Sequence, residues 1–177
     1  MKKKIIFTIL GLGLVIFFIA FFIKFQKTSQ YRKAIGQLPE VNLIDYALDK
    51  GMFFDKGSID CFLIFNSECE FCLDEIEDIV DNIEDFEHVN FYLVSIEAEE
   101  ILTEYCEDSE FLGMDNFTVI RDSDEFFYNF FKSSVTPSTY VYTKSGALLD
   151  YSQGYLPIYK LKSIVSEKQY DTCCYVR

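Results

Sequence analysis

Two cysteines, separated by two residues, lie where a short apolar segment of the chain gives way to an amphipathic one. The run from Cys61 to Phe65 is typical of a buried strand, whereas the residues after the pair are apolar at helical spacing: Leu73, Ile76, Ile79, Val80 and Ile83. Cys69 therefore lies near a predicted helix N-terminus, and Cys72 lies about one turn inside the helix. Amide dipoles at a helix N-terminus favour a thiolate over a thiol. Because two thiols at this spacing can close and reopen a small ring, the pattern favours thiol–disulfide exchange.

Acidic residues accompany this pair along the sequence. Glu68, Glu70, Asp74 and Glu75 oppose a thiolate at Cys69, and no Lys, Arg or His lies within ten residues on either side. We therefore predict that the pKa of Cys69 is only modestly below that of a free thiol. Since a less stabilised thiolate means a less favoured reduced form, the couple is expected to be reducing. This favours a reductase or an isomerase over a strong oxidant.

Charge is divided unevenly along the 177 residues. Residues 1–33 hold seven of the 16 basic residues and no acidic one, so the remainder carries nine basic and all 29 acidic residues, a formal charge of −20. A body this acidic repels nucleic acid and anionic lipid, and we exclude both as its ligands. The acidic surface favours solubility first and a preference for basic protein partners second. The length predicts one domain plus a smaller element.

The N-terminal segment is predicted to anchor the chain in a membrane. Residues 5–23 carry no charge, and as a helix they span about 28 Å, close to the hydrocarbon thickness of a bilayer. No Ala-x-Ala pattern follows them, which favours an uncleaved signal anchor over a cleaved signal peptide. The predicted organisation is a cytoplasmic tail (1–4), a transmembrane anchor in the lipid bilayer (5–23), a linker (24–38) and a globular domain (39–177).

The orientation of this anchor is nearly balanced by charge. Three lysines precede the apolar run and four basic residues follow it before residue 34, so the positive-inside rule gives no clear answer. The short N-terminal tail and the cysteine pair favour a cytoplasmic N-terminus. The expected location is the cytoplasmic membrane, crossed once, with the globular domain on the extracytoplasmic side.

Strands and helices alternate along the body and end in a hairpin and a helix. The predicted strands are 61–66, 89–96, 117–120, 139–143 and 147–151, and the predicted helices are about 70–85, 99–106, 124–131 and 156–167. The segment 41–54 is predicted to be an irregular or hairpin lead-in. This order predicts an α/β fold with a central mixed sheet flanked by helices.

At these positions the chain resembles the thioredoxin superfamily. The likeness consists of a strand leading to Cys69-Glu70-Phe71-Cys72 at a helix start and, about 65 residues later, Val135-Thr136-Pro137 entering a strand before a Gly-containing turn and a second strand. It covers roughly residues 39–167. With the N-terminal anchor, the chain is most similar to the TlpA-like or ResA-like extracytoplasmic branch, whose members are typically disulfide reductases.

The resemblance implies a role for each of these residues. Cys69 would be the attacking nucleophile, and Cys72 would resolve the mixed disulfide. Pro137 would be cis and pack beside the pair, while the backbone of Thr136 would contact substrate. The implied partners are a protein disulfide as substrate and a membrane electron donor that re-reduces the pair. No cofactor is required, and no metal site is expected.

The resemblance also implies an acid near the thiols, and it has departures. ResA-like members place a carboxylate after the strand that follows the first helix, where Glu97 or Glu99 is the candidate acid or base. The family usually has Trp directly before the first cysteine, whereas this chain has Glu68, and Phe71 replaces a frequent Pro. The missing Trp removes a hydrophobic docking surface for the usual substrates.

Two alternative functions stay open from the sequence. A peroxide reductase of the same superfamily is one, although Asn66-Ser67-Glu68 lacks the Thr and Pro that peroxiredoxins carry ahead of their reactive cysteine. A non-catalytic, membrane-tethered binding module with a structural cysteine pair is the other. Of the remaining cysteines, Cys61 is predicted to face the core and Cys106 to fill a helix face. Two more, at 173 and 174, lie in a polar tail as exposed thiols, a vicinal disulfide or a tether to another chain.

Overall fold

The computed structural model describes residues 2–50, 55, 57–111 and 113–173, with side chains described between residues 11 and 166 of that set. The chain divides into two compact units, residues 1–37 and 38–177. Cys174 lies outside the described residues, as does the side chain of Cys173. The same holds for 51–54, the end of the predicted lead-in.

The first unit is one long helix, α1, from Lys2 to Ala34. Its segment Gly11–Ala34 is long and apolar enough to cross a membrane, and a signal sequence would meet the same criterion. The helix continues through most of the predicted linker 24–38, because that stretch is rich in good helix formers and lacks proline. The predicted limits of the anchor at 5–23 and its insertion in lipid stay predictions.

The second unit is built on one sheet of five strands. The strands are β1 (Ile59–Ile64), β2 (Val89–Ser95), β3 (Phe117–Arg121), β4 (Ser138–Thr143) and β5 (Leu148–Gln153). Their order is β3-β2-β1-β4-β5. β1, β2 and β3 run parallel, while β4 is antiparallel to both β1 and β5, so the sheet is mixed. The predicted α/β fold with a mixed central sheet is confirmed.

Helices connect the parallel strands and close the chain. They are α2 (Glu70–Val80), α3 (Glu99–Glu107), α4 (Phe126–Phe131) and α5 (Ile158–Cys173). Short 3₁₀ turns lie at Leu43–Asp45 and Ile83–Phe86. Parallel strands need crossover connections such as α2 and α3, because a tight turn cannot return the chain to the same end of the sheet.

Alternation along the strands gives the sheet two apolar faces. One face, which includes Cys61, Leu63 and Val141, packs with residues of α2 and α5 in the main core. On the other face, Phe62 stacks near Phe127 of α4, and an aromatic cluster surrounds them: Tyr92, Phe131, Tyr140 and Tyr142. The buried rings of α4, Phe127 and Phe131, therefore belong to the core.

The first predicted helix of the body ends earlier than the apolar pattern indicated. The pattern predicted a helix over about 70–85, but α2 ends at Val80 and a 3₁₀ turn follows. The side-chain amide of Asn82 donates to the carbonyl of Asp78 at 2.8 Å. Asparagine competes in this way for backbone groups, and so favours a helix end over a helix interior.

Candidate active site

Strand direction brings four connecting segments to one edge of the sheet. β1 and β2 end there, because Ile64 lies opposite Val94 in their parallel pairing. β4 starts there and β5 ends there, since Ser138 pairs with Ile64 and with Gln153. Four segments therefore converge: the cysteine pair follows β1, Glu97 follows β2, Thr136-Pro137 precedes β4 and Gly154 follows β5. They meet at the carboxyl ends of the parallel strands, where α/β sheets bind ligands.

Cys69 occupies the N-cap position of α2, as the sequence predicted. Its carbonyl accepts the N–H groups of Cys72 at 2.9 Å and Leu73 at 3.1 Å, and its own N–H donates to the Asn66 carbonyl at 3.1 Å. Its side chain is partly exposed, whereas Cys72 is fully buried one turn inside the helix. Both are free thiols. One thiol of the pair is therefore open to a reaction partner and the other is held behind it.

The two thiols differ in acidity because hydrogen bonds oppose burial to different extents. Burial raises the pKa of Cys69, but the side chains of Cys72 and Thr136 and the backbone of Cys72 and Phe71 hydrogen-bond to its sulfur and lower the pKa overall. Burial, with the hydrogen bond to Cys69, raises the pKa of Cys72 to about 12. The largest influences on the Cys69 pKa thus include no charged side chain. The pKa of Cys69 is therefore lowered, as predicted, and hydrogen bonds are the main cause of the lowering.

The Thr136-Pro137 segment lies against the cysteine pair. The peptide bond between these two residues is cis, as the resemblance implied. The Thr136 side chain hydrogen-bonds to both thiols. The Val135 carbonyl accepts the hydroxyl groups of Ser133 and Ser138 at 2.9 and 2.8 Å, which fixes the segment from its other side. A hydroxyl donor is therefore held next to the sulfur atoms.

Glu97 ties together two of the converging segments. Its carboxylate accepts the Ser67 N–H at 2.9 Å, the Ser67 hydroxyl at 2.7 Å and the Ser95 hydroxyl at 2.9 Å. Ser67 is two residues before Cys69, so these bonds hold the segment that carries the nucleophile. The predicted acid or base role of Glu97 stays a prediction. Glu99 contacts Arg121, with 3.5 Å between Oε2 and Nη1, and its predicted role is also untested.

Glu75, which the sequence showed only as one of four acids opposing a Cys69 thiolate, is a buried carboxyl group. It is only 1% exposed. It accepts the Thr139 hydroxyl and, at 2.8 Å, the Leu156 N–H. Burial raises the pKa of Glu75 to about 7. The helical spacing of the sequence could have predicted this burial, because Glu75 lies one turn after Cys72 and beside Ile76 on the apolar face of α2.

The other cysteines of the described region are poor nucleophiles. Cys61 is buried in β1, where burial and the nearby Glu75 carboxyl raise its pKa well above the usual value. Cys106 is half-buried on α3, and burial raises its pKa to about 11. Both lie where the sequence predicted them. Among the residues that the structure describes, no cluster of three or more His, Cys, Asp or Glu is arranged to hold a metal ion.

Comparisons with known proteins identify the fold. No protein-family model and no curated protein matches the sequence. Solved structures do match: StoA from Bacillus subtilis, with 14% identity, covers 63% of this chain and 84% of its own at a TM-score of 0.51. A secreted Mycobacterium tuberculosis disulfide oxidoreductase, with 16% identity, covers 63% of this chain and 83% of its own at 0.52. The body of the chain therefore has a thioredoxin-like fold.

Peroxide-reducing proteins share the same fold. The mitochondrial 2-Cys peroxiredoxin of Plasmodium falciparum, with 16% identity, covers 77% of this chain and 86% of its own at a TM-score of 0.55. At such identities the likeness extends to the fold alone. A function must therefore be argued from the arrangement of the thiols themselves.

Proposed function

We propose that the chain is a membrane-anchored thiol–disulfide oxidoreductase that reduces protein disulfides. The observation that carries the proposal is the asymmetry of the pair: a partly exposed Cys69 of lowered pKa, backed by a buried Cys72 of raised pKa, both next to Thr136. Exchange needs a thiolate that can reach a partner disulfide and a second thiol that is protected until the first has reacted. A purely structural pair has no need of this difference.

The reaction proceeds in two exchanges. The Cys69 thiolate attacks one sulfur of a substrate disulfide, a Cys69–substrate disulfide forms, and the other substrate sulfur leaves as a thiolate that takes up a proton. Cys72 loses its proton and attacks the Cys69 sulfur, which releases the second substrate thiolate. The products are a reduced substrate and a Cys69–Cys72 disulfide, so two electrons pass to the substrate. A membrane electron donor would return two electrons to the pair.

Glu75 is our candidate for the base that accepts the Cys72 proton. It follows Cys72 by one helical turn on the buried face of α2, and burial keeps its pKa at about 7. A base with such a pKa is half-deprotonated at neutral pH, which suits proton transfer in either direction. Cys72 needs such help, since its pKa is raised to about 12.

Location and direction complete the proposal. The helix α1 would hold the domain at the cytoplasmic membrane, with the N-terminus inside and the thiols on the extracytoplasmic side, as in the TlpA-like or ResA-like branch. The direction is reduction, because the largest influences that lower the Cys69 pKa are hydrogen bonds and not a cation, and a thiolate that lacks a cation as partner gives a more reducing couple.

The reduction potential of the pair tests the proposal. The full chain, in neutral detergent and with Cys173 and Cys174 changed to Ser, would be equilibrated in dithiothreitol buffers, and the thiols counted by alkylation and mass. We expect a reversible two-electron couple at or below about −250 mV. A value of about −120 mV would make the protein an oxidant. If the pair cannot be oxidised and reduced reversibly, the non-catalytic binding module is the function that remains. Rapid consumption of peroxide would favour the peroxiredoxin alternative.

A further inference from the structure

The segments around Cys69 form a continuous surface that extends beyond the thiol. The N–H of Gly154 donates to the Pro137 carbonyl at 2.8 Å, which joins the segment after β5 to the segment before β4. The next residue, Tyr155, donates its hydroxyl to the Asp78 carboxylate of α2. The surface therefore continues from Cys69 across Pro137 and Gly154 to the exposed side of α2.

Apolar side chains stand exposed on this surface. Phe71, between the two cysteines, is 64% exposed, Val135 is 46% exposed and Tyr155 is 39% exposed. A Cβ at Gly154, the residue before Tyr155, would meet no atom within 4 Å, so the surface is open there. Exposed apolar residues gathered beside a reactive group are typical of a docking surface.

Acidic side chains border these apolar residues. Glu68 and Glu70 flank Cys69 and are exposed, and Asp74 follows on the exposed side of α2 near Asp78. Four of the basic residues in the body are held in ion pairs: Lys50, Arg121, Lys144 and Lys162. The cation nearest to the surface in sequence is Lys132, four residues before Thr136. The border is therefore negative on the side formed by α2.

We propose, on the basis of the proposed reductase function, that the substrate is a cationic polypeptide whose disulfide is flanked by Lys or Arg and by an apolar residue. The apolar residue would pack on Phe71 and Val135, and the basic residues would lie near Glu68, Glu70 and Asp74. Charge complementarity of this kind increases the rate of encounter and disfavours acidic partners, through repulsion. These apolar and acidic residues would also replace the docking surface that Trp usually provides in the thioredoxin superfamily, at the position that Glu68 occupies here.

Single-turnover kinetics with two matched peptides tests the inference. The reduced full chain in neutral detergent would be mixed with disulfide peptides that differ only in Lys or Glu flanks, at low and high salt, with bis(2-hydroxyethyl) disulfide as an uncharged reference. We expect the Lys peptide to react about tenfold faster or more at low salt, and the difference to shrink at high salt.

Charge reversal locates the effect on the surface. The triple variant Glu68→Lys, Glu70→Lys, Asp74→Lys should favour the Glu peptide, with the single variant Glu70→Lys intermediate. The matched control, Asp81→Lys, Glu84→Lys, Glu87→Lys, changes three exposed acids away from the thiols by the same total charge and should keep the preference for Lys.

The outcomes separate this inference from the function on which it rests. If the neutral disulfide is reduced and the Lys and Glu peptides react at the same rate, the proposed substrate class is wrong and the reductase function stands. If both triple variants lose the preference equally, the net charge of the body is responsible and the surface is not. If even the neutral disulfide is not reduced, the reductase function itself fails.

Discussion

The two ends of the central sheet both carry buried polar groups, yet they are built in opposite ways. At the end away from the thiols, Asp60 accepts the Asn90 amide at 2.6 Å and lies 3.6 Å from the Lys144 ammonium. Lys144 also pairs with Asp55, which accepts the Tyr92 hydroxyl at 3.2 Å. Each of these three charged side chains has an opposite charge or a hydrogen-bond donor beside it.

At the thiol end, the described partners of Cys69 and Glu75 are hydrogen-bond donors, and none of these partners is a cation. Thr136 and backbone groups lower the pKa of Cys69, and the buried Glu75 carboxyl has neutral partners in Thr139 and Leu156. Burial raises the pKa of both buried acids, but Asp60 has the Lys144 ammonium and the Asn90 amide beside it, whereas Glu75, with neutral partners, reaches a pKa of about 7 and can exchange a proton at neutral pH. The comparison indicates that the Asp60 end stabilises the fold and that the Cys69 end is kept reactive.

The largest expected effect comes from removing either thiol. Cys69→Ser should abolish disulfide reduction, because the attacking sulfur is lost. Cys72→Ser should allow the first exchange and then trap a mixed disulfide, since nothing resolves it. Non-reducing gels and intact mass would detect the trapped species. Trapping by Cys69→Ser instead would reverse the assigned roles, and Cys106→Ser serves as the matched control because its thiol pKa is about 11.

Removing Glu75 should change how stability depends on pH. Its pKa is about 7 in the fold against an ordinary value of 4.5, so the folded state binds a proton more tightly than the unfolded state. Stability should therefore fall as pH rises from about 4.5 to 7, by an amount on the order of 3 kcal/mol. Glu75→Gln should lose this dependence, as measured by urea unfolding at several pH values.

The same variant separates two roles for this carboxyl group. If Glu75 accepts the Cys72 proton, Glu75→Gln should also slow the second exchange near neutral pH while leaving the first unchanged. A normal rate of resolution in the variant would limit Glu75 to a structural role. Unfolding curves that keep the wild-type pH dependence would contradict the raised pKa itself.

Asn90→Ala should destabilise the end of the sheet away from the thiols without changing the reactivity of Cys69. The substitution removes the amide that bonds to Asp60 and the carbonyl oxygen that accepts the Gly57 N–H at 2.7 Å. Leaving buried polar groups unsatisfied costs roughly 1–3 kcal/mol each. Denaturant unfolding should show that loss, while the rate of Cys69 alkylation at fixed pH should match wild type. A change in that rate would mean that the two ends are coupled.

Local patterns predicted most of this fold, because each strand and helix has an apolar period that tertiary packing preserves. The cysteine pair and its place at the start of α2 could be predicted in the same way. The convergence of Thr136 on Cys69 depended on resemblance, since 67 positions of sequence separate them and only the register of β4 on β1 brings them together. The burial of Glu75 was missed because charge, counted along the chain, does not show which face of a helix is buried.

The smallest effect is expected from Thr136→Val, which tests what sets the acidity of the exposed thiol. The change keeps the shape of the side chain but removes the hydroxyl that hydrogen-bonds to Cys69 and Cys72. A hydrogen bond to a charged group contributes roughly 1.5–3 kcal/mol, which corresponds to about one to two pKa units. The midpoint of the Cys69 alkylation rate against pH should therefore shift upward by about one to two units.

The same measurement distinguishes hydrogen bonding from charge as the control of Cys69. Glu70→Gln, which removes a neighbouring negative charge without touching the hydroxyl, is the matched variant. If the acids governed the thiol, Glu70→Gln would lower the pKa by more than Thr136→Val raises it. We expect the larger shift from Thr136→Val, because hydrogen bonds are the largest influences that lower the pKa of Cys69 and Glu70 is exposed to screening solvent. In that case the acids around the thiol are free to act on the substrate's charge without controlling the nucleophile.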